Sequence, residues 1–260
     1  MQFFKFIFFI VLLSSLLLAK GVRFLGPQYV EVQDSISLRN INQKVFKEPE
    51  RFLFDINWGW INAGQATLEL KKGAKPNLWK IQSLAWCNKF FQAFYPVHDT
   101  IFSIIDSRGL YPVHFEKNLH EGRYEAHIRS WFDQEKHKAW LMDTICEIEP
   151  FTHDILSAFY FIRSQVLIPG NKFTIAAVSG KKKYNLVVKC HKRETITVPA
   201  GKFKTIVVEP IIQGVGLFVK KKGKLTIWLS DDNSHIPIKM KSKIPVGSIT
   251  AELIKFSLFK

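Results

Sequence analysis

The sequence predicts a mainly β protein built of antiparallel strands, with one short helix. Three observations carry this. Lys224 to Leu253 holds two apolar, β-prone runs flanking the polar turn Asp231-Asp232-Asn233, and a third run follows Gly247-Ser248. That is the pattern of an antiparallel meander. From Arg51 onward, Phe52, Phe54 and Ile56 alternate with Leu53, Asp55 and Asn57, the period of a strand. Only Phe151 to Val166 repeats its apolar residues at three- and four-residue intervals, the period of a helix.

The elements follow in order. The first strand ends at Trp58-Gly59-Trp60, and Ile61 to Lys72 returns with Ala66, Leu68 and Leu70 on one face. Gly59 and Gly64 permit a bulge or a close backbone approach. After a turn over Gly73 to Asn77, a strand runs from Leu78 to Ala85. The aromatic knot Phe90 to Tyr95 closes at Pro96, and Val97 to Ile105 is extended. Ser107-Arg108-Gly109 turns the chain into Leu110 to Asn118, and strands over Tyr124 to Asp133 and His137 to Asp143 come next. The helix, near residues 153–166, carries Ile155, Leu156, Phe159, Ile162, Arg163 and Val166 on one stripe. Thr152 or His153-Asp154 starts it and Pro169-Gly170 stops it. Such a helix caps or plugs a sheet. Strands over Lys172 to Val178, Lys183 to His191, Glu194 to Val198 and Phe203 to Pro210 precede the C-terminal meander, with Pro199-Ala200-Gly201-Lys202 as a turn. Gly214-Val215-Gly216 is a turn or bulge.

The first residues give an address. Lys5 precedes an apolar run, Phe6 to Leu18, of signal-peptide length and shorter than the ~20 residues of a spanning helix. The expected division is a signal peptide over 1–19 with cleavage after Ala19, a lead-in segment over 20–48 and one β-rich domain over 49–260. The alternative is an uncleaved N-terminal anchor. No later segment is apolar enough to span a bilayer as a helix.

The formal charge is +15. Its lysines are scattered singly along strands, as a solvated surface with protected strand edges requires. Weak attraction to anionic envelope surfaces is the functional reading of the same charge. No zinc finger, basic helix or aromatic RNA motif accompanies it, so nucleic acid is not an expected partner. Cys87, Cys146 and Cys190 are widely spaced. Three cysteines leave one over, and either free thiols or one bridge fits.

Six landmarks in order resemble domain-of-unknown-function family 3108, a group of exported bacterial envelope proteins. They are Gly59 with Ala63-Gly64; Val97-His98-Asp99 before Ser103 and Gly109-Leu110; Asp154-Ile155-Leu156-Ser157-Ala158-Phe159-Tyr160-Phe161-Ile162-Arg163; Val198-Pro199-Ala200-Gly201-Lys202-Phe203; Ile227-Trp228-Leu229-Ser230-Asp231-Asp232; and Ile236-Pro237 before Gly247-Ser248-Ile249. The resemblance covers Phe52 to Phe256. It implies a periplasmic or otherwise exported protein with a curved antiparallel sheet, and no established activity. By analogy of fold, it implies an open or flattened barrel near a helix, similar to lipid-binding envelope modules.

Candidate residues fall into four groups. Asp231 and Asp232, with His235, place two carboxylates at a hairpin end where a cation or sugar could bind, but Asp and Asn also shape turns. His98-Asp99 pairs an imidazole with a carboxylate, yet strand neighbours face opposite ways; alternatively Asp99 pairs with a cation such as Arg163. Ser157, Tyr160 and Arg163 share a helix side, either as a polar strip at a cavity mouth or with Arg163 in an internal ion pair. Trp58, Trp60, Phe91, Phe94 and Tyr95, with Phe90, Trp79 and Trp86, form either core or an acyl-chain pocket on a concave sheet. No serine elbow, HExxH, P-loop or dinucleotide fingerprint appears. Catalytic residues, metal and cofactor are therefore expected to be none. The expected partner is a lipid or lipid-linked glycan, or alternatively an envelope protein or polysaccharide. A hydrolase using Asp99, Asp231 or His235 requires these to share a cleft.

Overall fold

A computed structural model of the chain describes residues 46–213 and 224–258. The expected signal peptide, nearly all of the lead-in segment and Gly214-Val215-Gly216 lie outside these residues. The strands are β1 (Glu50–Trp58), β2 (Ile61–Lys72), β3 (Leu78–Cys87), β4 (His98–Asp106), β5 (Tyr111–Glu121), β6 (Tyr124–Asp133), β7 (Lys138–Leu141) and β8 (Thr144–Glu147). After these come β9 (Lys172–Ser179), β10 (Lys182–Val198), β11 (Gly201–Gln213), β12 (Leu225–Ser230), β13 (Pro237–Lys243) and β14 (Ser248–Leu258). The helices are α1 (Lys89–Gln92) and α2 (Ile155–Ser164).

The fourteen strands among the described residues form one antiparallel sheet in the order β8-β7-β6-β5-β4-β3-β2-β1-β14-β13-β12-β11-β10-β9. Each half of the chain is a meander, and the two halves join where β1 pairs with β14. The sheet is curved but not closed: β8 and β9 remain its edges. They are tethered rather than paired. Lys181 forms an ion pair with Asp143, and Lys183 Nζ donates to the Glu147 carbonyl at 2.8 Å. His153 then lies against the β9 edge, donating its N–H to Ala176 O at 2.9 Å and accepting from Val178 N–H at 2.8 Å.

Inward side chains recur every second residue, as a pleated strand requires. Phe52, Phe54 and Ile56 of β1, Ala66, Leu68 and Leu70 of β2, and Ile101 and Ile105 of β4 join Leu156, Phe159, Tyr160 and Ile162 of α2 in one core. Gly64 permits the tight β2–β3 contact: a Cβ there would sit 2.1 Å from the Trp86 carbonyl oxygen, and the β1–β2 register shifts beside it.

The register gives the sheet two ends. At one, here the Gly59 end, lie the β1–β2 tip, the β3–β4 connection with α1, the β5–β6 tip and the β13–β14 tip. At the other, the Asp232 end, lie the β2–β3, β4–β5, β6–β7, β10–β11 and β12–β13 turns. The C-terminal turn of α2 reaches the Asp232 end, where Arg163 meets Glu50 at the start of β1. The helix thus plugs that end of the curved sheet.

Several boundaries differ from the sequence reading. The helix is shorter than 153–166 because His153 is held extended against β9 and Asp154 is its N-cap; Gln165 is already extended. The expected strand at 137–143 stops at Leu141, since Met142 adopts a positive φ, and β8 follows. The two strands expected at 183–191 and 194–198 are one, β10, with a bulge between Cys190 and Arg193. All three cysteines are free thiols.

Candidate functional site

At the Asp232 end the charged residues are structural. Arg163 is 1 % exposed, forms a two-pronged ion pair with Glu50, and donates through Nε to His235 O at 3.0 Å and through Nη2 to Ser234 O at 3.2 Å. Its guanidinium lies over the rings of Tyr160 at 4.7 Å and Phe52 at 5.2 Å. A buried guanidinium needs a counter-ion and saturated donors, and this arrangement supplies both. Of the two alternatives for Arg163, the internal ion pair is the one present, and the polar strip at a cavity mouth is not. Ser157 and Tyr160 are also buried, and Ser157 Oγ donates to the Asp154 carbonyl at 3.2 Å.

The Asp231-Asp232 pair shapes its turn. Asp232 Oδ1 accepts from Ser234 N–H at 2.8 Å, His235 N–H at 3.2 Å and Ser230 Oγ at 2.9 Å, an Asx turn. Asp231 points elsewhere, to Arg193 Nε at 2.9 and 3.0 Å. The two carboxylates do not converge on one site. His235 Nδ1 donates to the Arg163 carbonyl at 2.6 Å, so this hairpin also grips the end of α2.

Asp99 lies at the Gly59 end, with the length of the sheet between it and Asp231 and His235. That separation removes the hydrolase constellation. Nor does Asp99 pair with Arg163. It points inward from the start of β4 while His98 faces outward, and it accepts from His120 N–H at 2.9 Å. Its Oδ2 meets no donor among the described residues and lies beside the Glu121 carboxylate.

The sequence reading missed the partners of Asp99. Lys117 and Glu121 project inward from β5, where the alternation Phe115, Lys117, Leu119, Glu121 puts two charges on the core face. Asp99 and Lys117 are only 1 % and 2 % exposed. Burial, then the Glu121 charge, pushes the Asp99 carboxyl up to about 7. Burial pushes the Lys117 ammonium down to about 8, against the opposing pull of Glu121 and Asp99. Tyr95 and Tyr124 border the cluster, and burial with Glu121 raises both phenols, Tyr95 to about 12. The Tyr95 ring lies over Gly122, where a Cβ would meet it at 2.6 Å. An inward charge in an alternating apolar strand was the signal available in the sequence.

Most of the candidate aromatic residues gather at the Gly59 end, and Trp79 lies apart from them. Trp79 packs on Phe46 near the Asp232 end. Phe91 is buried and anchors α1, whereas Trp60, Phe90 and Phe94 stand 94 %, 66 % and 70 % exposed at the Gly59 end. Trp58 is half-buried there and donates through Nε1 to Val246 O at 3.0 Å. Among the described residues no His/Cys/Asp/Glu cluster is arranged to hold a metal, and no helix is long and apolar enough to cross a membrane.

Two solved structures are similar to this chain to different degrees, and the first shares its fold. A β-barrel-like protein of the domain of unknown function DUF1849 from Brucella abortus has a TM-score of 0.58 at 11 % identity, over 82 % of this chain and 98 % of its own. The hypothetical protein CT021 from Chlamydia trachomatis has a TM-score of 0.38 at 5 % identity, over 84 % of this chain and 93 % of its own. No match to a curated protein is found. The family model of DUF3108, described as a protein of unknown function, matches residues 53–254, from the first strand to the last, and the chain belongs to that family.

Proposed function

We propose that the chain is an exported, non-enzymatic envelope protein that binds an amphipathic ligand, a lipid or lipid-linked glycan, at the Gly59 end of its sheet. The contrast between the two ends carries this reading. Helix α2 and its ion pair fill the Asp232 end. The Gly59 end instead presents Trp60, Phe90 and Phe94 to solvent above the inward Asp99, Lys117 and Glu121. Aromatic surface beside a few convergent polar groups is the composition of a ligand site. The apolar part of the ligand would lie on the rings and its head group near the Lys117 ammonium. Export rests on the Phe6–Leu18 run and Ala19.

Native and extracted-lipid mass spectrometry of the protein purified from an envelope fraction tests this. A co-purifying lipid or glycolipid is the expected result, and ligand-free protein would sink the proposal. The exposed rings also suit stacking on sugars, so the second reading is an assembly factor that docks a polysaccharide or protein partner in the envelope. Crosslinking in the envelope should then retain a partner, and a solitary monomer counts against it.

A further inference from the structure

The exposed rings belong to a rim whose parts are tied together. Gly59 N–H donates to Ser248 O at 2.9 Å and Trp58 Nε1 to Val246 O, joining the β1–β2 and β13–β14 tips. Asn88 Nδ2 donates to Asn62 O at 2.7 Å and ties α1 to β2. Phe90 and Phe94 pack edge to face at 5.2 Å on the outer side of α1, while Phe91 holds the inner side. The rings are therefore held facing outward at two neighbouring places, the β1–β2 tip and α1.

The charge on this rim is predominantly positive. Lys89, Arg123 and Lys243 are exposed on or beside these tips and make no ion pair among the described residues. Glu121 points inward, whereas the Glu125 side chain, just inside β6, is 74 % exposed and lies 3.1 Å from His120. At the Asp232 end Arg108 is paired with Asp106, Lys136 with Asp133 and Arg193 with Asp231, while Lys75 and Lys202 on its turns are exposed with no ion pair among the described residues. The Gly59 rim is set apart by the exposed Trp60, Phe90 and Phe94 beside its cations. Free cations beside exposed Trp and Phe match a surface that is anionic outside and apolar just beneath. A bilayer interface with acidic head groups has that profile.

We infer that the Gly59 rim seats the protein on an anionic lipid bilayer, with Trp60, Phe90 and Phe94 entering the head-group region and Lys89, Arg123 and Lys243 against lipid phosphates. This shares its location with the ligand proposal but does not require the interior to hold a lipid.

Flotation of the full chain with two kinds of vesicle tests it, one of phosphatidylcholine alone and one of equimolar phosphatidylcholine and phosphatidylglycerol. Lys5 and Lys20 flank the apolar N-terminal run, so attachment through it also favours anionic lipid. The readout is therefore the ratio of partition coefficients for wild type and for rim variants that keep the same N-terminus. The wild-type chain should favour the anionic vesicles several-fold, and salt should erase the preference. The variant Trp60→Ser, Phe90→Ser, Phe94→Ser should bind the anionic vesicles about tenfold more weakly. The variant Lys89→Glu, Lys243→Glu should lose most of the preference. Val166→Ser with Ile168→Ser, exposed on the α2–β9 connection, should change nothing. Wild-type binding that is blind to lipid charge, or equal binding by the ring-deleted variant, overturns the inference. Self-association that the ring deletion abolishes, without vesicle binding, assigns the rim to a second copy and overturns it as well. Loss of flotation with retained lipid by mass spectrometry would separate this inference from the ligand proposal.

Discussion

Arg163 and Glu50 lie 113 positions apart in sequence and share one buried ion pair. Removing one partner of such a pair costs about 3–5 kcal/mol, because the other charge stays buried and alone. Arg163→Ala and Glu50→Ala should each show that loss in urea unfolding, and Arg163→Met with Glu50→Leu should lose clearly less than the two singles added. Additive losses would mean the pair is not coupled. The Asp99 cluster makes a pH prediction. Folded Asp99 keeps its proton up to about pH 7, whereas an ordinary aspartate loses it near 3.8. The folded state therefore holds an extra proton between these values, and its stability falls as pH rises from about 4 to about 7. Lys117 is depressed to about 8 from 10.5, so its contribution is lost as pH falls across that interval. Stability should dip near pH 7 to 8, and Asp99→Asn should flatten the fall on the acid side. Thermal melts across pH decide this, and an Asp99→Asn melt curve parallel to wild type would refute it. At this scale the sequence showed that a buried arginine needs an ion partner. It could not show which one, because Glu50 and Lys117 acquire their roles only when strands far apart in sequence align.

At the scale of elements, α2 depends on its first turn. Asp154 accepts from Leu156 N–H at 2.8 Å, from Ser157 N–H at 3.0 Å and from Ser103 Oγ of β4 at 2.6 Å. One side chain thus caps the helix and pins it to the sheet, although burial raises its carboxyl above the usual range. Asp154→Ala should destabilise the protein by about 2 kcal/mol, near the upper range for a cap, because Ser103 is orphaned too. Asp154→Asn should recover most of that; chemical denaturation measures both, and a neutral Asp154→Ala would show the cap to be dispensable. Strand positions were legible because hydrophobic alternation is local. The union of two predicted strands into β10 was not, because a bulge at Cys190–Arg193 looks like an interruption in a one-dimensional pattern. Nor was α1 visible within the aromatic knot, for four residues are too few to display a helical period.

For the whole molecule, the cysteines report on the ladder. Cys87, Cys146 and Cys190 lie on β3, β8 and β10 and are free. Denatured, unreduced protein should therefore titrate with three thiols, and a loss of two would reveal a bridge that the strand order does not accommodate. Antiparallel pairing between successive strands could be read from the turns. The curvature could not, because it accumulates from the twist of many strands, and neither could the plugging of one end by α2.

The pairing of β1 with β14 has a consequence for folding. Glu50 meets Leu258 in that ladder, so the contact spans nearly the whole distance between the first strand and the last. Until β14 has docked, β1 and β13 are two open edges on half-sheets that have no hydrogen-bonded seam between them. Such edges are templates for wrong partners, and contacts of this sequence separation form slowly. Each folding chain is thus open to misassembly until that seam forms, and β14 acts as the clasp that ends the hazard.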